Sequence, residues 1–198
     1  MIIKLSDHQL SIILASASPR RKQLLADAGY EFEVVVPDID ESAFLAKRLE
    51  PCQHAQQLAL AKAKTVAAKH PSFLVIGADT IVDFNGQIIG KPTDAEDAEK
   101  ITRKLFSKPH KVITAVAIVR LSDNTEIVES DTTDVYPKKM TTEQITEHIK
   151  NESWRDKAGA YAIQENGDEF IEKIEGSLTN VMGLPMELLH QLLQGFVD

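Results

Sequence analysis

Apolar and polar positions along the chain fall into short blocks whose period changes repeatedly. Ser11-Ile-Ile-Leu-Ala15 is a run of strand length and leads directly into Ser16-Ala-Ser-Pro-Arg-Arg21 and the helical stretch Lys22-Gln-Leu-Leu-Ala-Asp-Ala-Gly29. Ser18 suits a helix N-cap, Pro19 the first helical turn and Gly29 the stop, so the pattern predicts strand, tight turn, helix. Phe32 to Val36 reads as a second strand, ended by Pro37 and the polar run Asp38-Ile-Asp-Glu-Ser42. From Pro51 to Lys69 an alanine-rich segment with apolar residues at helical spacing predicts a long helix, closed by His70-Pro71.

The densest apolar segment is Phe73 to Val82, interrupted only by Asp79 and Thr80, and a central strand accounts for it. Asn85-Gly86 is a hairpin signal leading into Gln87-Ile-Ile89. Thr93-Asp-Ala-Glu96 has the capping-box spacing and predicts a helix to Phe106; Thr141-Thr-Glu-Gln144 repeats it for a helix to Lys150. Lys111 to Arg120 and Thr125 to Tyr136 read as paired strands, Glu169 to Ile174 as an edge strand, and Pro185 opens a closing helix to Leu193. Helices alternate with strands without an internal repeat or a low-complexity linker. The expected fold is therefore α/β with a mixed central sheet flanked by helices, in a single domain spanning residues 1–198.

Composition adds exclusions. The 198 residues carry 22 Lys+Arg against 30 Asp+Glu, a net charge of −8, which disfavours grip on a nucleic-acid polymer or an acidic membrane surface. No run approaches the roughly 18 consecutive apolar residues of a membrane span. The single cysteine, Cys52, cannot form an internal disulfide and points to a reduced, cytoplasmic setting, where it is expected to be a half-buried helix residue. The six histidines never fall at metal-ligand spacing and are expected at the surface or at helix ends. Dinucleotide and Walker fingerprints are both absent.

Chemistry concentrates at a few positions. Ser16, Ser18, Arg20 and Arg21 stand where a strand gives way to a helix N-terminus, a place that offers free N–H groups, hydroxyls and guanidinium forks to an anion. A capped helix with a solvated basic start is the competing reading of the same residues. Asp79 is an acid inside an apolar strand, a position that chains keep for a cation partner or for proton chemistry. Ser16 and Asp79 are both expected at the carboxyl ends of their strands, where α/β sheets open a ligand crevice. Asp38, Asp40 and Glu41 are oxygen donors suited to Mg²⁺ or Mn²⁺, while Lys62 and Lys91 are point charges for phosphate. Together these residues suggest metal-assisted hydrolysis of a phosphoanhydride.

These residues stand in motifs. Leu14-Ala-Ser-Ala-Ser-Pro-Arg-Arg21, Asp40-Glu41, Leu58-Ala-x-x-Lys-Ala63, Gly77-Ala-Asp-Thr80, Gly90-Lys-Pro92, Asp156 to Gln164 and Asn180-Val-Met-Gly-Leu-Pro185 follow one another from Ile12 to Leu188. In this set the chain resembles the Maf family of nucleoside triphosphate pyrophosphatases. The resemblance implies a two-lobed fold with a crevice, similar to that of inosine triphosphate pyrophosphatases. It also implies cleavage of a small-molecule nucleoside triphosphate between the α- and β-phosphates, with a divalent metal cation, by a protein that is commonly a homodimer. The family's catalytic acid falls on Asp79, as base or metal ligand, with Glu41 as a second acid. Its phosphate-handling positions fall on Ser16, Arg21, Lys62 and Lys91. Thr80, Gln164 and Arg20 match the group acting on dTTP and UTP; a glutamine amide can satisfy both a carbonyl and the N3–H of a pyrimidine. Two other readings stand beside this one: the same fold acting on 7-methyl-GTP or other modified nucleotides, and a non-catalytic nucleotide-binding regulator of division.

Overall fold

The computed structural model describes residues 11–45, 49–155, 157–161, 163 and 168–196. The opening apolar run is β1 (Ile12–Ala15), buried along its whole length, and it turns directly into α1 (Pro19–Asp27) with Ser18 as N-cap. Tyr30 and Glu31 lead into β2 (Phe32–Val34), which is shorter than its apolar pattern; Val36 is already 63% exposed. A single turn, α2 (Ser42–Leu45), precedes the alanine-rich α3 (Pro51–Ala67), which carries Cys52 as a half-buried free thiol 3.1 Å from Ser130 Oγ.

The central strand β3 (Leu74–Phe84) runs two residues beyond the expected segment and turns through Asn85-Gly86 into β4 (Gln87–Ile89). Then come α4 (Ala95–Leu105), β5 (His110–Arg120), β6 (Thr125–Pro137), α5 (Thr142–Lys150), the short turn α6 (Asp168–Phe170), β7 (Ile171–Glu175), α7 (Leu178–Met182) and α8 (Met186–Gln194). Both capping signals produce helices. Thr141 and Gln144 form the reciprocal box, whereas α4 starts one residue later than predicted because Asp94, not Thr93, accepts from the N–H of Asp97 at 2.8 Å.

One seven-stranded sheet runs through the molecule in the order β2-β1-β3-β5-β6-β7, with β4 on β3. The β1 pairings are parallel and the rest antiparallel, which gives the mixed α/β class the sequence predicts. α3 covers one face through Ala55, Ala59, Ala63 and Val66, packed on Val75, Ala115 and Ala117. α1 and α8 cover the other through Leu24, Leu25, Leu189 and Leu193, packed on Leu14, Ile76 and Val116. Burial on both faces explains why β3 and β5 read as near-continuous apolar runs. A third cluster joins Val82, Leu105, Val112, Ile145 and Tyr161 at the far end. No helix among the described residues is long and apolar enough to cross a membrane.

The pairing of β3 creates an opening. On one edge β1 pairs with Leu74 to Gly77 and β4 with Val82 to Phe84, so among the described residues no strand lies beside Ala78 to Ile81 there, while β5 runs unbroken along the other edge. Asp79 therefore lies in the middle of β3 and not at a strand end as expected. The strand end that opens the crevice belongs to β1.

Candidate active site

The gap beside Ala78–Ile81 is the floor of a cleft of about 370 Å³. Side chains alternate across β3, so Asp79 faces α3 and Thr80 faces α7. Two groups of polar residues result, one on each face.

On the α3 face, Lys62 Nζ stands 2.7 Å from Asp79 Oδ1 and 2.8 Å from Glu41 Oε1. Lys62 and Asp79 are buried, whereas Glu41 is half exposed. Gly77, two positions before Asp79 on the same face, makes this approach possible. A Cβ there would sit 2.3 Å from the carbonyl oxygen of Ala59 and 2.8 Å from the nitrogen of Ala63, so only glycine lets α3 lie close enough. Burial acts to raise the Glu41 carboxyl; the hydrogen bond and charge of Lys62, with Lys91 and Arg21 beyond, outweigh it and hold the group below its ordinary value. Asp79 Oδ2 has no hydrogen-bond partner among the described residues.

On the α7 face, Arg21 fastens the two sides of the cleft together. Its Nε donates to the carbonyl of Gly183 at 2.7 Å, Nη1 to the carbonyl of Ala78 at 2.9 Å and to Ser16 Oγ at 3.3 Å, and Nη2 to Thr80 Oγ1 at 2.9 Å. Four of its five donors are thereby engaged, and burial presses the guanidinium below its ordinary value. Ser16 Oγ accepts from both Arg21 and the N–H of Ser18, which leaves its own proton to offer at the end of β1. Arg20 is half-buried and Lys91 exposed at the mouth, and both line the cleft.

Of the residues singled out in the sequence, Arg20, Arg21, Glu41, Lys62, Asp79, Thr80 and Lys91 border one cleft, with Ser16 behind Arg21. Gln164 lies outside the described residues. Asp38 and Asp40, expected as metal donors, do not line the cleft; Asp40 Oδ1 instead accepts from the N–H and hydroxyl of Ser42 at 3.0 and 2.6 Å, starting α2. Among the described residues no group of three or more His, Cys, Asp or Glu could hold a metal ion. The donor set that does fit a hard divalent cation is the pair Asp79 and Glu41, whose oxygens already converge on one ammonium.

The roles of three contributors escaped the sequence reading, although two of them, Asn180 and Gly183, stand in one of its motifs. Asn180 is fully buried in α7; its Nδ2 donates to the carbonyl of Val112 and to Thr133 Oγ1, and its Oδ1 accepts from the N–H of Thr114. Gly183, at φ +110°, ends α7 and turns its carbonyl to Arg21. His110 is not a surface residue but is 3% exposed at the start of β5, bonded through Nε2 to the hydroxyl of Tyr161 on the cleft wall at 2.7 Å. Burial pushes His110 down to about 4, and its buried Nδ1 has no hydrogen-bond partner among the described residues to favour the charged form. The Asn-x-x-Gly spacing is the only sequence signal that could have marked α7, since a five-residue helix has no periodicity to read.

The cleft also has an apolar side, formed by Val82, Val112, Tyr161, Ile163, Val181 and Met182, against a charged side of Arg20, Glu41, Lys62, Asp79 and Lys91. Such a site can take a molecule with a flat apolar part and a polyanionic part. A family model described as Maf-like protein matches residues 11–196. The dTTP/UTP pyrophosphatase of Citrifermentans bemidjiense is 47% identical over 176 residues, covering 89% of this chain and 90% of its own. That of Bdellovibrio bacteriovorus is 41% identical over 191 residues, covering 94% and 98%. Among solved structures, the Staphylococcus aureus Ham1 protein superposes with a TM-score of 0.53 at 14% identity, covering 93% of this chain and 98% of its own. That likeness bears on the fold alone and agrees with the mixed α/β architecture expected from the sequence.

Proposed function

The chain belongs to the Maf-like family, and from that premise we propose that it is a nucleoside triphosphate pyrophosphatase acting on dTTP and UTP in the cleft beside Ala78–Ile81. The observation that carries the reading is Lys62 held between Asp79 and Glu41 at the charged end of a cleft whose other end is apolar. A purely nucleotide-binding regulator has no use for two acids beside a polyanion that they repel, and the names of the relatives favour dTTP and UTP over 7-methyl-GTP. Separate elements contribute, with the end of β1 and the start of α1 supplying Ser16, Arg20 and Arg21, α3 supplying Lys62, and the exit of β4 supplying Lys91.

The triphosphate lies along Arg20, Lys62 and Lys91, with the base over Val82, Val112 and Met182. Asp79 Oδ2 accepts a proton from water as its oxygen bonds to the α-phosphorus. The bond from that phosphorus to the bridging oxygen breaks, and pyrophosphate leaves with the electron pair. Lys62 has one N–H beyond those given to Asp79 and Glu41, and that N–H meets charge developing on the phosphates. Asp79 and Glu41 would hold a divalent cation such as Mg²⁺ or Mn²⁺, which when bound neutralises phosphate oxygens and acidifies water. Arg21 acts mainly by keeping Ser16, Thr80 and Gly183 in register.

The test is product analysis with UTP, dTTP, CTP, GTP and 7-methyl-GTP in the presence of Mg²⁺ or Mn²⁺. Monophosphate and pyrophosphate from UTP and dTTP at the highest rates are expected. Release of orthophosphate, or preference for 7-methyl-GTP, contradicts the reading.

A further inference from the structure

The hydroxyl of Thr80 has its polarity fixed by its neighbours. Thr114 Oγ1 lies 2.8 Å from the carbonyl oxygen of Asn180, and because a carbonyl only accepts, the single Thr114 proton is committed there. In the 2.9 Å contact between Thr80 Oγ1 and Thr114 Oγ1, Thr80 is therefore the donor. On its other side Thr80 accepts from Arg21 Nη2, and the carbonyl of Gly183, 3.5 Å away, is a second and longer acceptor for its proton. The row Arg21, Thr80, Thr114, Asn180 begins at a group that only donates and ends at one that only accepts, so it runs one way. Thr114 and Asn180 are fully buried, and Asn180 is pinned by Val112 and Thr133, so water does not reach the far end to reverse it.

What Thr80 has left for a ligand is one acceptor lone pair. It borders the cleft, two positions from Val82 on the same face, beside the apolar surface of Val112, Val181 and Met182 on which a flat ring would lie. We propose that Thr114 is a specificity-determining positioning residue. By taking the Thr80 proton it makes Thr80 an acceptor toward the base, so that the site prefers an imide edge, whose ring nitrogen carries a hydrogen, over a cytosine edge, whose ring nitrogen is itself an acceptor. Two acceptors brought face to face in a desolvated cleft leave both unsatisfied, and this is a strong ground for rejection. The proposal rests on the reading of the cleft as a pyrimidine triphosphate site.

The experiment compares kcat/KM for UTP and CTP in the wild type, Thr114→Val and Thr114→Ser. Valine keeps the shape of threonine and leaves the Thr80 proton only a long 3.5 Å contact to the Gly183 carbonyl, which already accepts from Arg21 Nε at 2.7 Å, so the proton can turn toward the ligand. The UTP-to-CTP ratio is expected to fall at least fivefold in Thr114→Val, through gained CTP turnover, and to stay within twofold of wild type in Thr114→Ser. Loss of a merely structural contact would lower both substrates together and leave the ratio unchanged; that result in a folded Thr114→Val overturns the proposal. Calorimetric binding of UMP and CMP to the wild type, without metal, provides a check independent of whether the variant folds: UMP should bind more tightly, and equal binding overturns the proposal. A wild type that hydrolyses neither triphosphate removes the pyrophosphatase reading itself, whereas an active enzyme with an unchanged ratio removes this inference alone.

Discussion

Lys62 holds the centre of the site because it joins two acids that would otherwise face each other across a cleft built for an anion. Taking away one partner of a buried ion pair leaves an uncompensated charge, which costs about 3–5 kcal/mol. Lys62→Met keeps the aliphatic stem and removes the ammonium; urea unfolding should show a loss in that range, and turnover of UTP should drop at least about a hundredfold. His110 gives a second prediction at this scale. Its folded value of about 4 lies below the ordinary 6.5, so the unfolded chain takes up a proton first as pH falls. Stability is then complete above 6.5 and declines toward 4, by about 3 kcal/mol at about 1.36 kcal/mol per pH unit. In His110→Gln, denaturation measured across that window should flatten; an unchanged slope would show that His110 is not the group responsible. Asp79 was legible in the sequence as an acid in an apolar run. The partners of Arg21 were not, since Ala78, Thr80 and Gly183 lie 57 to 162 positions away along the chain and only the fold brings them together.

At the scale of elements, the site depends on how closely α3 approaches β3. Gly77→Ala sets a methyl group against the backbone of Ala59 and Ala63, neither of which is a flexible side chain that could move aside. Overpacking of this kind costs about 1–3 kcal/mol or more, so thermal unfolding of the variant should come several degrees earlier. Activity should fall further than stability, because displacement of α3 carries Lys62 away from Asp79. A variant as stable and active as the wild type would show that the close contact is not what places Lys62. Strands and the longer helices were legible because burial on both faces and capping residues leave local marks, as at Thr141 and Gln144. α2 and α7 were not, since four and five residues carry no period to read; α2 is started locally by Asp40, whereas α7 is ordered by long-range bonds such as those of Asn180 to β5 and β6.

For the whole molecule, the net charge of −8 is compatible with a triphosphate substrate because the cations proposed to meet it are few and local. Arg20, Lys62 and Lys91 reach one cleft from three different elements or their ends, while the acidic excess elsewhere disfavours long phosphate backbones. The sheet makes this convergence: β1 stops at Ala15 opposite Gly77, β4 stops at Ile89 opposite Val82, and the four residues between carry the acid and the hydroxyl on opposite faces. Sequence patterning could place Asp79 on a strand, but not in a gap between two partners on its edge, since strand order is set by packing of the entire chain. The most direct test is pyrophosphate release from UTP with a divalent cation, comparing the wild type with Asp79→Asn. The amide keeps an oxygen for Lys62, whose charge Glu41 still faces, so the variant should fold with a melting temperature lowered by several degrees, less than in Lys62→Met, and lower the rate by about 10³-fold; a folded Asp79→Asn that releases pyrophosphate at the wild-type rate would contradict the assignment of the reaction to this cleft.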